Sequence, residues 1–496
     1  MNIPRSLRVP ARRRRAWGVA LATLTVAVAT MILLPEPEAG ATDAPTDAPT
    51  DAPASGGPLM APIPRTSSEG PRVTLDGPNV HGLFALATGA VRADQASELL
   101  AELRLEGMSR TSDAHVPVSL AVVLDHSGSM SGEKIESARE SILTLLAAMN
   151  DDDRLAVVIY DDDANLLQPL APARVLRRSL ADRVRRVTAD GGTDIPQGLR
   201  LGIEALREAP AGNATRIILI SDGRDGSGLS LSEMSDLVGQ AAEAQVVTSS
   251  LGVGIDYDQT FMTAVADAGH GNYAFLEHGS MLASFLSREL EESSRTVAEN
   301  VVAEVTLPAH VRFVAAHGAV AHVVGDRVRV ELGTLFAGAR RKVVFELASE
   351  GAPLDAALPL AVRLAYQSVE PGGARAPNTL GGIANARTVR TNEEVDAAHD
   401  PELYPDALAT ILDAQQDDAM AAWRHGDRES ARTASVTALH RYRSAAALHA
   451  SPLLDERIHA VEAEMRTYDE VDPSSSAGRT FDLGAGARRH AEAAAF

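Results

Sequence analysis

Between residues 119 and 295, short apolar runs alternate with stretches of helical periodicity, and no other feature of the sequence restricts the fold as much. The runs lie at 120–124, 155–160, 217–220, 246–251 and 273–276. Continuous apolar runs of this length suit strands buried on both faces. Between them, Ile135, Ala138, Ile142, Leu145, Leu146 and Met149 share one helical face. Further helical patterns follow Asp182, span about 198–209, and recur around Met234, Leu237, Val238 and Ala241, then around Met281, Leu282, Phe285 and Leu286. This alternation predicts an α/β unit, a doubly wound parallel sheet flanked by helices. Ligands of such sheets sit beyond the carboxyl ends of the strands.

Three polar motifs fall at those ends. Asp125-His126-Ser127-Gly128-Ser129 directly follows the run at 120–124. Ser221-Asp222-Gly223 directly follows the run at 217–220. Gly191-Gly192-Thr193-Asp194 precedes a helix and must reach the same edge through its loop. Loops are rich in Asp and Ser, so each motif alone reads as a turn or a helix cap. All three in order, each at a strand–helix junction, form a specific pattern.

The chain here resembles the von Willebrand factor type A family, whose metal-ion-dependent adhesion site uses D-x-S-x-S, a distant Thr and a distant Asp. Asp125, Ser127, Ser129, Thr193 and Asp222 match all five positions. The resemblance covers 119–295 and extends to Met130, Ser131-Gly132, Gly252-Val253-Gly254 and Gly271-Asn272-Tyr273, which fit the bacterial multidomain branch of the family. It implies that Ser127, Ser129 and Thr193 hold an ion through hydroxyls, directly or through water, and that Asp125 and Asp222 supply carboxylates, often through water. Mg²⁺ favours octahedral oxygen ligands and retains waters. Such a site stays coordinatively open, so a Glu or Asp of a protein partner can complete the shell. Mn²⁺ and Ca²⁺ suit the same oxygen set. Gly191 and Gly192 allow a close backbone approach, and Asp194 with Gln197 can cap the next helix.

The neighbouring polar residues read as structural. His126 occupies a variable position and is expected to be an exposed loop histidine. Residues Asp151, Asp152 and Asp153 read as a solvated turn, while Asp161, Asp162 and Asp163 read as a loop bordering the metal face. Neither triplet carries the Gly and Glu spacing of an EF-hand loop. Ser131-Gly132-Glu133-Lys134 matches the S-x-x-K signature of Ser/Lys hydrolases, but the companion S-D-N and K-T-G motifs are absent. The match therefore reads as coincidence. No G-x-S-x-G, H-E-x-x-H or Walker A sequence occurs. The function expected is a metal-dependent protein-binding or adhesion module, not an enzyme. A structural or assembly subunit of an envelope complex is the alternative, and a metal-dependent hydrolase a minor one.

The flanks have their own patterns. Arg5, Arg8 and residues 12–15 form a basic segment before an uncharged apolar run at 17–34. Ala39-Gly40-Ala41 fits a small-x-small cleavage site. Residues 1–41 therefore read as a signal peptide or an uncleaved membrane anchor, since the run lies near the lower end of the ~17–25 residues that span a bilayer. Either way the folded part is expected outside the cytoplasm, periplasmic, extracellular or held at a membrane. Residues 42–71, opening with three Thr-Asp-Ala-Pro repeats, read as a disordered linker.

Residues 72–118 form a β segment, where Leu99, Ala101, Leu103 and Leu105 alternate with Glu98, Glu102 and Arg104 as in a half-buried strand. Residues 296–392 alternate similarly and read as a β-sandwich that the earlier segment completes, which would make the α/β unit an insertion. Residues 396–470 read as helices, and the Ala-, Gly- and Ser-rich 471–496 as a disordered tail. The formal net charge of −21 disfavours nucleic acid as a partner. With no cysteine in the chain, disulfides, thiolate metal sites and cysteine nucleophiles are excluded.

Overall fold

The computed structural model describes residues 70–108, 115–370 and 373–494; residues 1–41, expected to be a signal peptide or anchor, and the expected linker up to residue 69 lie outside them. Four strands come first: β1 (Arg72–Thr74), β2 (Val80–Leu86), β3 (Ala90–Arg92) and β4 (Ala96–Gly107). The α/β unit follows with β5 (Val118–Asp125), α1 (Glu133–Ala148), β6 (Arg154–Tyr160), β7 (Ala164–Pro172), α2 (Ala173–Leu176), α3 (Ala181–Arg185) and α4 (Ile195–Leu206). It closes with β8 (Ala214–Ser221), α5 (Leu231–Glu243), β9 (Val246–Val253), α6 (Gln259–Ala268), β10 (His270–Leu276) and α7 (Leu282–Ser294). The chain then returns to strands: β11 (Thr296–Thr306), β12 (Val311–His317), β13 (Ala321–Val324), β14 (Arg327–Phe336), β15 (Arg340–Glu350), β16 (Ala357–Val369) and β17 (Arg375–Val389). It ends in helices α8 (Asn392–Asp396), α9 (Leu403–Arg424), α10 (Arg428–Leu448), α11 (Pro452–Glu470) and α12 (Ser476–Ala494).

The α/β sheet has the order β10-β9-β8-β5-β6-β7. β5, β6, β8, β9 and β10 are mutually parallel, and β7 adds an antiparallel edge that the apolar pattern does not announce. On one face, Ile135, Ile142 and Leu145 of α1 pack with Phe285 and Leu286 of α7 against Leu120, Val122 and Leu124. On the other, Leu199 of α4, Val238 of α5 and Val265 of α6 pack against Val123, Ile217 and Leu219. Burial on both faces explains why the strands are continuously apolar. The strand order reverses between β5 and β8, which leaves a crevice beyond their carboxyl ends.

The remaining strands form two facing sheets, β1-β2-β4-β15-β12 and β13-β14-β11-β16-β17-β3. β4 pairs with β15 over Ala96 to Gly107's neighbour Glu106, so strands from both sides of the α/β unit share one sheet. Phe84, Leu103 and Phe345 from the first sheet meet Val301, Val330 and Leu364 from the second in a common core.

Three expectations fail in instructive ways. The polar side of β4 is only partly solvated: Glu98 is exposed, but Glu102 is 1% exposed because α9 covers that stretch, where Leu403, Ala407 and Ile411 pack on Ala85, Leu100 and Val344. The polar side chains there pair instead, Arg104 with Glu102 (2.6 Å) and Asp406 (2.7 Å), and Lys342 with Asp406 (2.9 Å). Asp153 is likewise no solvated turn residue, since it is fully buried and accepts from Val118 N (2.9 Å) and Asn150 N (2.7 Å). The tail at 471–496 is not disordered where it is described, because 476–494 form α12. Its small residues permit close packing: a Cβ at Gly486 would overlap the Gln259 amide. Leu483 enters the core beneath α6, while Asp482 pairs with Arg424 (2.9 Å) and Arg489 with Glu464 (2.6 Å). Low-complexity composition thus concealed a docked helix.

Candidate metal site

β5 and β8 are neighbours, with Leu124 in register with Ile220. Asp125 and the Ser221-Asp222 pair therefore leave the sheet side by side. Ser221 Oγ donates to Asp125 Oδ2 at 2.6 Å, and Ser127 N donates to Oδ1 at 2.8 Å. These two bonds fix the Asp125 carboxylate, which is fully buried. Burial pushes its pKa up, opposed by the hydrogen bonds from Ser127 and Ser221 and reinforced by the nearby charge of Asp222.

The chain then turns sharply through Ser127, Gly128 and Ser129 into α1. Ser127 Oγ and Ser129 Oγ lie 3.1 Å apart, and Ser129 Oγ donates to Asp222 Oδ1 at 2.8 Å. Asp222 is also fully buried. Four of the five sequence-derived residues thus form one connected cluster.

Thr193 arrives on the α3–α4 loop. Gly128 N donates to Gly191 O (3.1 Å), Gly226 N to Thr193 O (2.7 Å) and Asp194 N to Asp161 O (2.7 Å), which draws that loop over the crevice. Gly191 has φ +77°, and a Cβ there would stand 3.0 Å from the Asp161 side chain. Asp194 caps α4 through Gln197 N at 3.0 Å. A Cβ on Gly223 would lie 3.1 Å from Thr193 Oγ1 and 3.8 Å from Ser129 Oγ, so the Thr193 hydroxyl faces the same opening. All five residues are brought together.

Some side-chain roles at the site were not read from the sequence. Ser221 orients Asp125 directly. Lys134, dismissed with the S-x-x-K match, extends from the first turn of α1 and pairs through Nζ with Asp222 Oδ2. Its signal was a cation in the first turn of a helix, where the helix dipole disfavours one. His126 is no exposed loop residue: its side chain is 12% exposed, with Nδ1 against Thr188 O at 3.0 Å and Nε2 3.6 Å from Asp161 Oδ2.

An all-oxygen set of two buried carboxylates and three hydroxyls at an accessible sheet edge suits a hard divalent ion. Among the described residues no group of three or more His, Asp or Glu converges in this way. The constellation differs from such clusters in relying on hydroxyls for three of its five oxygen donors.

The sequence profile of the von Willebrand factor type A domain matches residues 119–287. The chain carries a von Willebrand factor type A domain. An uncharacterized protein of Synechocystis is 30% identical over 168 residues, which are 34% of this chain and 40% of that protein. Inter-alpha-trypsin inhibitor heavy chain H3 of Mus musculus is 30% identical over 167 residues, 32% of this chain and 19% of that one. The chain thus spans less than half the length of the curated relatives it matches. A solved von Willebrand factor type A structure from Catenulispora acidiphila shares the fold with a TM-score of 0.63 at 16% identity, over 83% of this chain and 96% of that one. The likeness therefore extends past the type A domain into the flanking sandwich and helices.

Proposed function

We propose that this protein is a metal-dependent protein-binding module that acts outside the cytoplasm. The observation that carries this reading is the convergence of Asp125, Ser127, Ser129, Thr193 and Asp222 at the switch between β5 and β8. The residues would hold one divalent ion, Mg²⁺ in the first instance, with Mn²⁺ and Ca²⁺ suited to the same donors. The ion would supply a Lewis-acidic position that a Glu or Asp of a protein partner completes. The basic and apolar pattern at 1–41 supports export or tethering at a membrane.

Binding suits the hydroxyls better than catalysis does. Ser127 Oγ faces Ser129 Oγ, and Ser129 donates to Asp222, so neither hydroxyl is paired with a histidine base. The framing loops are acidic, with the Asp161 and Asp162 side chains against Gly191 and Gly192, Asp190 beside them and Asp225 at the start of α4. Several of these carboxylates hold a neighbouring loop, as Asp162 does by accepting from Gly192 N (3.0 Å) and Asp225 by accepting from Ile195 N (3.1 Å). A partner carboxylate must cross this field. It would therefore be flanked by basic residues, and its association would weaken with salt.

The test is calorimetric titration of the full chain with Mg²⁺ and Mn²⁺ beside Asp222→Ala. Saturable binding by the wild type and none by the variant is the expected result. Water-proton relaxation of the Mn²⁺-loaded protein then reads the open position. N-acetylglutamate amide should displace a bound water, and N-acetylglutamine amide should not. Wild-type protein that binds no divalent ion overturns the reading.

A further inference from the structure

We propose that Lys134 is a tethered competitor of the divalent ion, which weakens the metal site and stabilises the protein when metal is scarce. The inference rests on the metal-binding reading of the site and concerns how that site is regulated.

Asp125 and Asp222 are not equivalent. Asp125 has both oxygens satisfied by neutral donors, Ser127 N and Ser221 Oγ. Asp222 has one oxygen on Ser129 Oγ and the other on the Lys134 ammonium. A buried carboxylate paired with a cation depends on that partner. Lys134 therefore answers the charge that a divalent ion would otherwise answer.

Its placement is costly unless that charge is what it serves. Lys134 lies in the first turn of α1, beside Glu133 and Glu136, where the helix dipole favours anions. Its side chain passes Gly254, where φ is +79° and a Cβ would stand 3.3 Å from Lys134 Cε and Nζ. The glycine leaves a path from α1 to the edge of β8. The lysine side chain is 28% exposed, so the ammonium can withdraw towards water as a divalent ion enters. The chain has only two lysines, Lys134 and Lys342, and its other basic residues are arginines. Lysine presents a compact point charge on a flexible stem, whereas arginine presents a rigid fork that grips carboxylates in pairs. A residue that must yield its carboxylate is better a lysine.

A competitor and a mere positioning residue predict opposite outcomes. If Lys134 only oriented Asp222, its removal would weaken metal binding. If it competes, its removal strengthens binding and destabilises the metal-free protein. The experiment measures Mn²⁺ affinity by calorimetry, and thermal midpoints in EDTA and in excess Mn²⁺. It compares the full wild-type chain with Lys134→Met and Lys134→Arg.

Lys134→Met is expected to bind Mn²⁺ roughly tenfold tighter or more, because a unit charge a few ångströms from a dication is removed. Its midpoint should fall in EDTA and recover in excess Mn²⁺. Lys134→Arg should bind no tighter than the wild type. Wild-type binding with equal or weaker affinity in Lys134→Met overturns the competition while leaving the metal reading intact. Absence of binding in all three proteins overturns both. If Lys134→Met folds only when Mn²⁺ is supplied, the competition is supported. If it folds in neither condition, Lys134→Gln, which also removes the charge, decides by the same affinity comparison.

Discussion

Ser221 shows how a single hydroxyl can hold a functional carboxylate in place. Its Oγ donates to Asp125 Oδ2 inside the sheet, where neither group reaches water. Ser221→Ala leaves that oxygen buried without a donor, and an unsatisfied buried polar group costs about 1–3 kcal/mol. Urea unfolding in EDTA should show a loss in that range, and an unchanged midpoint would mean that the bond contributes nothing net. Motif residues of this kind are legible in sequence because they sit directly after apolar runs. Asp125 and Ser221 end adjacent parallel strands, so strand order alone sets them together. Lys134 was not legible in the same way. Its pairing depends on how the first turn of α1 passes the end of β8, and residue spacing does not encode that. His126 illustrates the same limit, since only the fold places Thr188 O and Asp161 around its ring.

Among the elements, α1 and α12 mark the two extremes of legibility. The apolar face of α1 repeats at helical spacing, and Ile135, Ala138, Ile142, Leu145 and Leu146 are all buried. In α12, Ala and Gly dominate, so the sequence shows no apolar stripe. The helix is held by a few specific contacts instead: Leu483 in the α/β core, Asp482 on Arg424, and Arg489 on Glu464 and Asp417. β7 escaped notice for a related reason, because its Leu166 is exposed and an edge strand needs no continuous apolar run. The docking of α12 is directly testable. Leu483→Ala should destabilise the protein by about 2–5 kcal/mol, as expected for truncating a buried leucine. Limited proteolysis should then cut the variant within 476–494 faster than the wild type. Equal stability and equal cleavage would mean that α12 is not docked in solution.

At the scale of the whole molecule, the type A domain leaves and re-enters a sandwich whose strands come from both sides of it, and charged groups line the junctions. Arg216 is buried between Glu289 of α7 (2.8 Å) and the ring of Phe336 in β14 (4.8 Å to the centroid). Arg375 of β17 pairs with Glu299 of β11 at 2.6 Å and donates to Asn213 O of the α/β unit at 3.4 Å. The helical end is fastened similarly, by Glu102, Arg104, Lys342 and Asp406 beneath α9. Burial dominates at Glu102, whose pKa rises from 4.5 to about 7 despite the hydrogen bond and charge of Arg104. An acid whose folded-state value lies above its unfolded value keeps its proton longer in the folded chain. Its stabilising contribution is therefore full below about pH 4.5 and is lost as pH rises through about 7. Stability from this group should accordingly decline across that window, against the usual behaviour of exposed paired carboxylates. Glu102→Gln carries no titrating proton, so its urea midpoints between pH 4.5 and 7.5 should fall less steeply than those of the wild type. The comparison rests on slopes, because the substitution also removes an anion from Arg104 and shifts the absolute stability at every pH. Parallel slopes would show that Glu102 stays ionised under α9, held by Arg104 and Lys342 against its burial. The docking of the helical region would then be insensitive to the titration of this carboxyl.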